Sequence, residues 1–260
     1  MNKDRMEQVG RYIQRRREVS IAELQASPYY RDYSAMTLWR DLKQLEQCGC
    51  IRRVHGGVIS MQAAAPFAEG EYSKRARENI AAKEAIAREA LRFIAPGHSV
   101  FLDAGSTLMA LANQLGPERY TIITSGANIA IELSQRHNCD VLLTGGQISE
   151  NTLSCSGALA ERFIEGVNID AAVMAASGFS PGSGFTIGSL PEASLKRLVI
   201  ERAKTVVMLL DSSKLGRSLP FTFAALSDID ALISEAPLPG EIRAEAARLG
   251  VSCIVAEKPR

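Results

Sequence analysis

The chain has 260 residues, of which 46% are hydrophobic and 23% charged, and its formal net charge is +1. These proportions are ordinary for a globular protein, and the length suits two domains. No apolar run approaches the ~20 residues that a membrane-spanning helix needs, and the first residues lack the apolar core of a signal peptide. We therefore expect a cytoplasmic protein without a membrane partner.

The five cysteines show no metal-binding or disulfide pattern. Cys48 and Cys50 are separated by one residue, which is not a usual zinc pair, and no second pair follows. Cys139, Cys155 and Cys253 are isolated along the chain. We expect buried thiols and neither a metal nor another cofactor.

The first 33 residues predict two helices. Met6, Val9 and Ile13 have the spacing of an apolar helix face, and an arginine run follows them. Ser20 and Glu23 match a capping box, which starts a second, short helix.

Ser34 suits the N-cap of a third helix, in which Leu38, Leu42 and Leu45 form one apolar stripe. A leucine stripe beneath a basic face also occurs on ordinary surface helices, but three short helices in succession favour a helix-turn-helix. On this helix, the residues that we expect to contact DNA are Ser34, Met36, Thr37, Trp39, Arg40 and Lys43.

A basic hairpin is predicted directly after this helix, with strands at residues 51–54 and 58–61 and a turn at residues 55–57. Arg52, Arg53 and His55 would place cationic or donor groups against DNA phosphates. Residues 1–60 carry a net charge of +4 and the remainder −3, which fits a DNA-contacting N-terminal part.

The pattern changes after the hairpin. We assign residues 1–61 to a winged helix-turn-helix domain, residues 62–73 to a linker and residues 74–260 to an effector-binding domain. A helical segment from about Ser73 to Ile94, basic at its start, either docks onto the second domain or serves a dimer contact.

Short apolar runs then alternate with helical stretches. The runs lie at residues 100–102, 121–124, 141–144, 171–175 and 205–210. This alternation predicts a Rossmann-like α/β domain with a mostly parallel sheet and helices on both faces. Each run ends in small, polar or glycine-rich residues, and the carboxyl ends of such strands form the ligand crevice.

The turn that begins at Asp103 suits a phosphate, because Gly105 lets the backbone approach and Ser106 and Thr107 would present N–H groups. We expect Asp103 to take a sugar hydroxyl and Lys214 to neutralise the phosphate. Ordinary turn and cap chemistry explains any one of these loops, but five together favour a site. The candidate effector-binding residues are Asp103, Gly105, Ser106, Thr107, Ser125, Asn128, Gly145, Gly146, Gly178, Glu192 and Lys214.

Two of these candidates and one upstream lysine have simpler explanations. Glu192 follows Pro191 at a predicted helix start, where a carboxylate meets the helix dipole favourably and can be purely structural. Lys214 can be a solvated loop lysine. Lys83 lies in the helix before the domain and can reach the crevice, although a surface position is the simpler expectation.

The N-terminal part resembles the winged helix-turn-helix of the DeoR family of bacterial transcriptional regulators. The family usually carries arginine where Trp39 stands, and the turn at residues 25–33 is longer here. The matching residues are Ile21-Ala22-Glu23-Leu24, Thr37-Leu38, Arg40-Asp41-Leu42, Leu45, Gly49 and residues 53–57.

The C-terminal part resembles the effector domain of the same family. The resemblance implies a domain related to ribose-5-phosphate isomerase, a sugar-phosphate effector, a repressor of a carbohydrate-utilisation operon, and a dimer or tetramer. The matching residues are Leu102-Asp103, Gly105-Ser106-Thr107, residues 124–128 and 144–146, Asp170, Gly178-Phe179, residues 184–186, Glu192, Lys196 and residues 211–216.

The leading hypothesis is a homo-oligomeric regulator that binds double-stranded operator DNA and a phosphorylated sugar. The alternative is a sugar-phosphate isomerase fused to a DNA-binding module, with Glu192 and Lys214 as base and cation. That enzyme's Lys-Gly-Gly loop has no match at residues 175–178. A DNA-packaging protein without a ligand is disfavoured by the intact phosphate-type turn.

Overall fold

The computed structural model describes residues 3–16, 18–47, 51–60 and 72–257. The chain divides into two compact units, Met1–Ala68 and Glu69–Arg260. Most of the predicted linker lies outside the described residues, and its last two residues, Tyr72 and Ser73, belong to a helix. The domain boundaries of the sequence analysis stay a prediction.

The first unit is a winged helix-turn-helix, as predicted. Its sheet is antiparallel in the order β1-β3-β2, and the strand before the second helix was missed because three residues are too short to show a period. The elements are α1 (Lys3–Arg16), β1 (Glu18–Ser20), α2 (Ile21–Ala26), α3 (Ala35–Gln47), β2 (Ile51–Val54) and β3 (Gly57–Ser60).

Side chains cap the N-termini of α2 and α3. The Ser20 hydroxyl accepts from the Glu23 N–H at 3.1 Å, and the Glu23 carboxylate accepts from the Ser20 N–H at 2.9 Å, which confirms the capping box. The Ser34 hydroxyl accepts from the Thr37 N–H at 3.3 Å. The predicted leucine stripe of α3 is buried in the core of this unit.

Asp41 joins three segments of the first unit. Its carboxylate is buried and accepts from Arg5 of α1 at 2.7 Å and from the hydroxyl of Tyr30 at 3.1 Å. Tyr30 lies in the turn between α2 and α3, is fully buried, and has a raised pKa because burial disfavours the phenolate. Tyr30 therefore anchors the long turn in the core of the first unit.

The second unit is a doubly wound α/β domain whose principal sheet has the order β15-β14-β12-β9-β4-β5-β6. All neighbouring strands in it are parallel. The elements are α4 (Tyr72–Arg77), α5 (Ile80–Ala90), β4 (Ser99–Leu102), α6 (Ser106–Asn113), β5 (Tyr120–Thr124), α7 (Ala127–Ser134), β6 (Cys139–Leu143), β7 (Gln147–Ile148), β8 (Cys155–Ser156), α8 (Ala158–Glu165), β9 (Ile169–Ala175), β10 (Gly178–Ser180), β11 (Gly184–Ile187), α9 (Leu190–Arg202), β12 (Ala203–Leu209), β13 (Phe221–Ala224), β14 (Ala231–Ser234), α10 (Gly240–Leu249) and β15 (Ser252–Val255).

The five apolar runs found in the sequence form β4, β5, β6, β9 and β12, so the predicted fold class is confirmed. The sequence analysis missed β14 and β15, which extend the sheet, and the small antiparallel sheet β10-β11-β13. Two apolar clusters bury the two faces of the principal sheet. The helices cover both faces of the sheet, and the loops after the strands therefore lie together at the carboxyl ends of the strands.

The single helix predicted over residues 73–94 is wrong. Two helices, α4 and α5, meet at Asn79, whose backbone is left-handed with a φ of 52°. Asparagine tolerates this conformation better than most residues, so the corner is compatible with its sequence. α5 packs its buried face into the core of the second unit.

A buried ion pair fixes the strand ends of the second unit. Asp103, at the end of β4, accepts from the Ala104 N–H at 2.8 Å and the Ala175 N–H at 3.1 Å, and from the ammonium group of Lys196 on α9. Lys196 also donates to the Ala175 carbonyl at 3.0 Å. The pair therefore joins β4, β9 and α9.

We expect Asp103→Asn to lower the free energy of unfolding by about 3–5 kcal/mol, because it leaves the buried charge of Lys196 without its counter-ion. Urea denaturation followed by far-ultraviolet circular dichroism measures the change. The control is Lys204→Gln, which removes the exposed Lys204–Asp170 pair and should change stability by about 1 kcal/mol or less. Equal losses in the two variants would contradict the structural role of Asp103.

Tyr30→Phe should lower the stability of the first unit by about 1.5–3 kcal/mol, the usual range for a hydrogen bond to a charged group. The fluorescence of Trp39, the single tryptophan of the chain, follows this unit in urea. Tyr29→Phe is the matched control, and we expect it to stay within about 0.5 kcal/mol of the wild type. A Tyr30 variant as stable as that control would refute the role of the hydroxyl.

Candidate functional site

The outer face of α3 carries four exposed side chains at helical spacing. Met36 is 82% exposed and Trp39 44%, and Arg40 and Lys43 lie beside them. Thr37 is half-buried, and its hydroxyl lies 3.1 Å from that of Ser34 at the start of the helix. The structure therefore brings Met36, Trp39, Arg40 and Lys43 together as one surface, which we call the α3 face.

The three hairpin residues that are predicted to contact DNA have different surroundings. Arg52 and His55 are exposed. The Arg53 guanidinium pairs with Glu46 of α3 at 2.6 Å, and the Arg53 N–H donates to the same carboxylate at 3.0 Å. Arg53 is exposed and also fastens β2 to α3, and its contact with phosphate stays a prediction.

A polar cleft lies in the second unit at the carboxyl ends of β4, β9 and β12. Five of the predicted effector-binding residues line it: Gly105, Ser106, Thr107, Glu192 and Lys214. Its wall also contains Lys83, which the sequence analysis named as able to reach the crevice, and residues that were not among the candidates, such as Arg75, Glu78, Asn79, Thr152, Ser177, Lys196 and Asp211.

Asp103 and Ser125 lie beneath the cleft rather than on its wall. Both oxygens of Asp103 are engaged by Lys196 and by backbone N–H groups, so the expectation that it takes a sugar hydroxyl is corrected to a structural role. The Ser125 hydroxyl accepts from the Ala104 N–H at 3.2 Å and supports the same turn.

The other four predicted residues lie outside the cleft wall. Gly178 approaches the Arg217 carbonyl so closely that a Cβ would lie 2.6 Å from its oxygen, which explains this glycine by packing. Gly145 and Gly146 form the turn after the edge strand β6, with φ values of +71° and +94°. Asn128 lies in the first turn of α7. Polar or glycine-rich turns occur both on the cleft wall and away from it, so composition alone could not identify which turns line the cleft.

The first turn of α6 opens onto the cleft. Gly105 precedes it with a φ of 139°, a conformation that side-chain-bearing residues rarely adopt, and no side chain caps the helix. The first helical bond runs from the Met109 N–H to the Gly105 carbonyl at 3.0 Å. The N–H groups of Ser106, Thr107 and Leu108 therefore have no acceptor within the helix, an arrangement that attracts anions.

Three lysines reach the cleft in different states. Lys196 is neutralised by Asp103. Lys83 is buried and donates to the carbonyls of Arg75 and, at 2.6 Å, Glu78, so the surface position expected for it is wrong. Burial lowers the pKa of Lys83, against the opposing charge of Asp211. No acceptor among the described residues engages the Lys214 ammonium, which leaves it for a ligand.

Glu192 closes one end of the cleft. It is buried in the first turn of α9, and its carboxylate accepts from the Thr152 hydroxyl at 2.8 Å. The Ser189 hydroxyl caps the same helix. Glu192 thus combines the structural position expected from the sequence with a place on the cleft wall.

The corner between α4 and α5 forms another part of the cleft wall. The side-chain amide of Asn79 donates to Asp211 at 3.2 Å and to the hydroxyl of Ser213 at 3.3 Å, which ties the corner to the loop after β12. The narrow inner part of the cleft has a volume of about 40 Å³, enough for about three water molecules, and the cleft is partly open to solvent. A sequence pattern could not have indicated this closure, because it depends on contacts between residues more than 130 positions apart.

Within the described parts of the chain there is no cluster of His, Cys, Asp and Glu that could hold a metal ion. Cys139, Cys155 and Cys253 are free thiols, of which only Cys155 is fully buried, and Cys48 and Cys50 lie outside the described residues. None of the described helices has the length and apolarity required to cross a bilayer.

Both units match known protein families. The DeoR-like helix-turn-helix domain matches residues 5–64, and the DeoR C terminal sensor domain matches residues 78–236. The transcriptional regulator GolR of Listeria innocua is 38% identical over 78% of this chain and 80% of its own. The regulator GlpR of Haloferax volcanii is 37% identical over 85% and 86%.

A putative aga operon transcriptional repressor of Escherichia coli O157:H7 is 27% identical over 97% of this chain and 93% of its own. Among solved structures, a D-ribose-5-phosphate isomerase in complex with phospho-erythronic acid has a TM-score of 0.38 and 20% identity, over 51% of this chain and 52% of that one. A likeness of that size carries no argument about function.

The sequence relatives are named as transcriptional regulators, which favours a regulator over an isomerase. They match along most of their length, and the two family domains cover both units. The chain belongs to the DeoR family and is a DNA-binding transcriptional regulator.

Proposed function

We propose that this regulator represses a carbohydrate-utilisation operon and that a phosphorylated sugar bound in the cleft controls its DNA binding. The observation that carries the proposal is that the uncapped first turn of α6 and Lys214 line the same cleft. Free N–H groups and a cation together suit a phosphate, and polar groups such as Glu192 and Ser177 suit sugar hydroxyls.

The narrow inner part of the cleft is too small for a whole sugar phosphate, which is several times larger than three water molecules. We therefore propose that the effector displaces the α4–α5 corner, which forms one wall. α4 is the first described helix of the second unit, so the corner is the described part of that unit nearest to the DNA-binding unit along the chain. The effector acts only through its different affinities for the open and closed corner.

Two further features belong to the same proposal. A homo-oligomer, dimer or tetramer, is supported by the edge strand β6, where Leu142 and Leu143 are 40% and 39% exposed. The proposal also includes a cytoplasmic location, where operator DNA is accessible to the protein.

Fluorescence anisotropy of a labelled duplex from the region upstream of the protein's own operon tests the function. Pentose, hexose and triose phosphates and the matched unphosphorylated sugars are added at fixed salt and competitor DNA, because non-specific affinity falls steeply with salt. One phosphorylated sugar should shift the specific binding curve, and its unphosphorylated form should not. A response to the unphosphorylated sugar alone would refute the phosphate assignment.

Ser106→Asp should abolish the response to the active sugar phosphate while operator binding persists. The new carboxylate stands at the free N–H groups of α6, and juxtaposed like charges cost several kcal/mol, so we expect at least about 30-fold weaker effector binding in calorimetry. Ser227→Asp adds the same charge to an exposed serine outside the cleft and serves as the control. An unchanged response in Ser106→Asp would place the phosphate elsewhere.

Asn79→Ala should tighten binding of the active sugar phosphate by about tenfold. The variant loses hydrogen bonds worth about 1.5 kcal/mol or more to the closed corner, and 1.4 kcal/mol is a factor of ten in affinity. Asn168→Ala, at an exposed asparagine remote from the corner, is the control. Weaker binding in Asn79→Ala would show that Asn79 contacts the effector and would contradict corner displacement.

A further inference from the structure

The α3 face has an unusual composition for a surface that contacts DNA. Met36 is the most exposed large apolar residue of the described chain at 82%, and Trp39 is 44% exposed. Neither residue belongs to the core of the first unit. The protein therefore keeps two large apolar side chains in solvent, and their burial requires a partner.

The arrangement of side chains on the α3 face indicates which class of partner covers it. Met36, Trp39, Arg40 and Lys43 have the spacing i, i+3, i+4 and i+7, so the apolar and the cationic side chains share one stripe. The Arg40 side chain is 61% exposed. A stripe that combines apolar groups with cations at the start of a recognition helix suits the major groove, where phosphates flank the base edges.

In the major groove, the apolar group on a base edge is the C5-methyl group of thymine. Guanine presents two acceptors, which a guanidinium or ammonium group reads well and a thioether or indole does not. Met36 has no N–H or O–H donor, and the indole of Trp39 has one donor on a large apolar ring.

We propose that Met36 and Trp39 read thymine methyl groups in the operator, and that these residues set its sequence preference. The proposal rests on operator binding, as set out under the proposed function. Arg40 and Lys43 supply charged contacts beside them. The preferred operator half-site then contains thymines at the positions that face the first two turns of α3.

The test removes one methyl group at a time. An operator duplex is selected from random double-stranded DNA with the full-length protein, and each thymine is replaced singly by deoxyuridine, which keeps base pairing. At each contacted position, affinity should fall about fourfold, the equivalent of ~0.8 kcal/mol for one buried carbon group. Anisotropy at fixed salt measures each dissociation constant.

A thermodynamic cycle assigns each thymine contact to Met36 or to Trp39. Met36→Ala and Trp39→Ala should each weaken binding to the thymine duplex and remove the deoxyuridine penalty at the position that the side chain reads. Both residues are exposed, so the substitutions do not touch the core. Arg52→Ala is the matched control: loss of a phosphate contact should weaken both duplexes equally and leave the penalty in place.

Three outcomes overturn the proposal. In the first, selection yields a specific operator but no deoxyuridine duplex binds more weakly than the thymine duplex. In the second, the loss of affinity caused by deoxyuridine persists unchanged in both alanine variants. In the third, Arg52→Ala also removes that loss of affinity. Failure to select any specific duplex would instead refute operator binding itself, so the two failures are distinguishable.

Trp39 gives an independent measurement because it is the single tryptophan of the chain. Acrylamide should quench its fluorescence efficiently in the free protein and at least about twofold less in the operator complex, since the indole leaves water there. Protection that instead rises with protein concentration in the absence of DNA would assign the α3 face to a contact between protein chains and overturn the proposal.

Discussion

The ion pair of Asp103 and Lys196 is the constraint on which the cleft depends. It joins the ends of β4 and β9 to α9, and so fixes where the turn before α6 stands relative to the start of α9. Buried charges are expensive unless they are paired, and here each is paired and hydrogen-bonded to backbone. Gly105 and Glu192, which extend from these elements, gain their positions on the cleft wall from this buried pair.

A similar buried carboxylate organises the first unit. Asp41 receives hydrogen bonds from Arg5 and Tyr30, and thereby fixes α1 and the long turn against α3. With this support, α3 needs only its leucine stripe for packing, and its outer face is free to carry Met36 and Trp39. In both units, a buried acid holds the scaffold while exposed or lining residues remain available for ligands.

The corner between α4 and α5 forms one part of the cleft wall. Lys83 donates to the carbonyls of Arg75 and Glu78, and Asn79 bonds to Asp211 and Ser213, so polar contacts hold the corner over the cleft, while the rest of α5 packs into the apolar core. Polar contacts of this kind exchange readily for a polar ligand, whereas an apolar core does not. Under the proposed function, the polar contacts of the corner, and not the apolar core of α5, are the contacts that the sugar phosphate replaces.

The sequence by itself determined the helix-turn-helix, the capping serines, the α/β alternation and the turn at Gly105, because each depends on local periodicity or on one residue's conformational preference. Only the tertiary structure decided the role of Asp103, the burial of Lys83, the pairing of Arg53 with Glu46 and the exclusion of Gly178 from the cleft. Asp103 and Gly178 depend on partners distant in sequence, whereas Arg53 and Lys83 depend on partners five to eight residues away across a change of element. In both cases a residue type does not reveal which partner will reach it. The same reason hid β14, β15 and the corner at Asn79, which strand pairing and hydrogen bonds across the fold create.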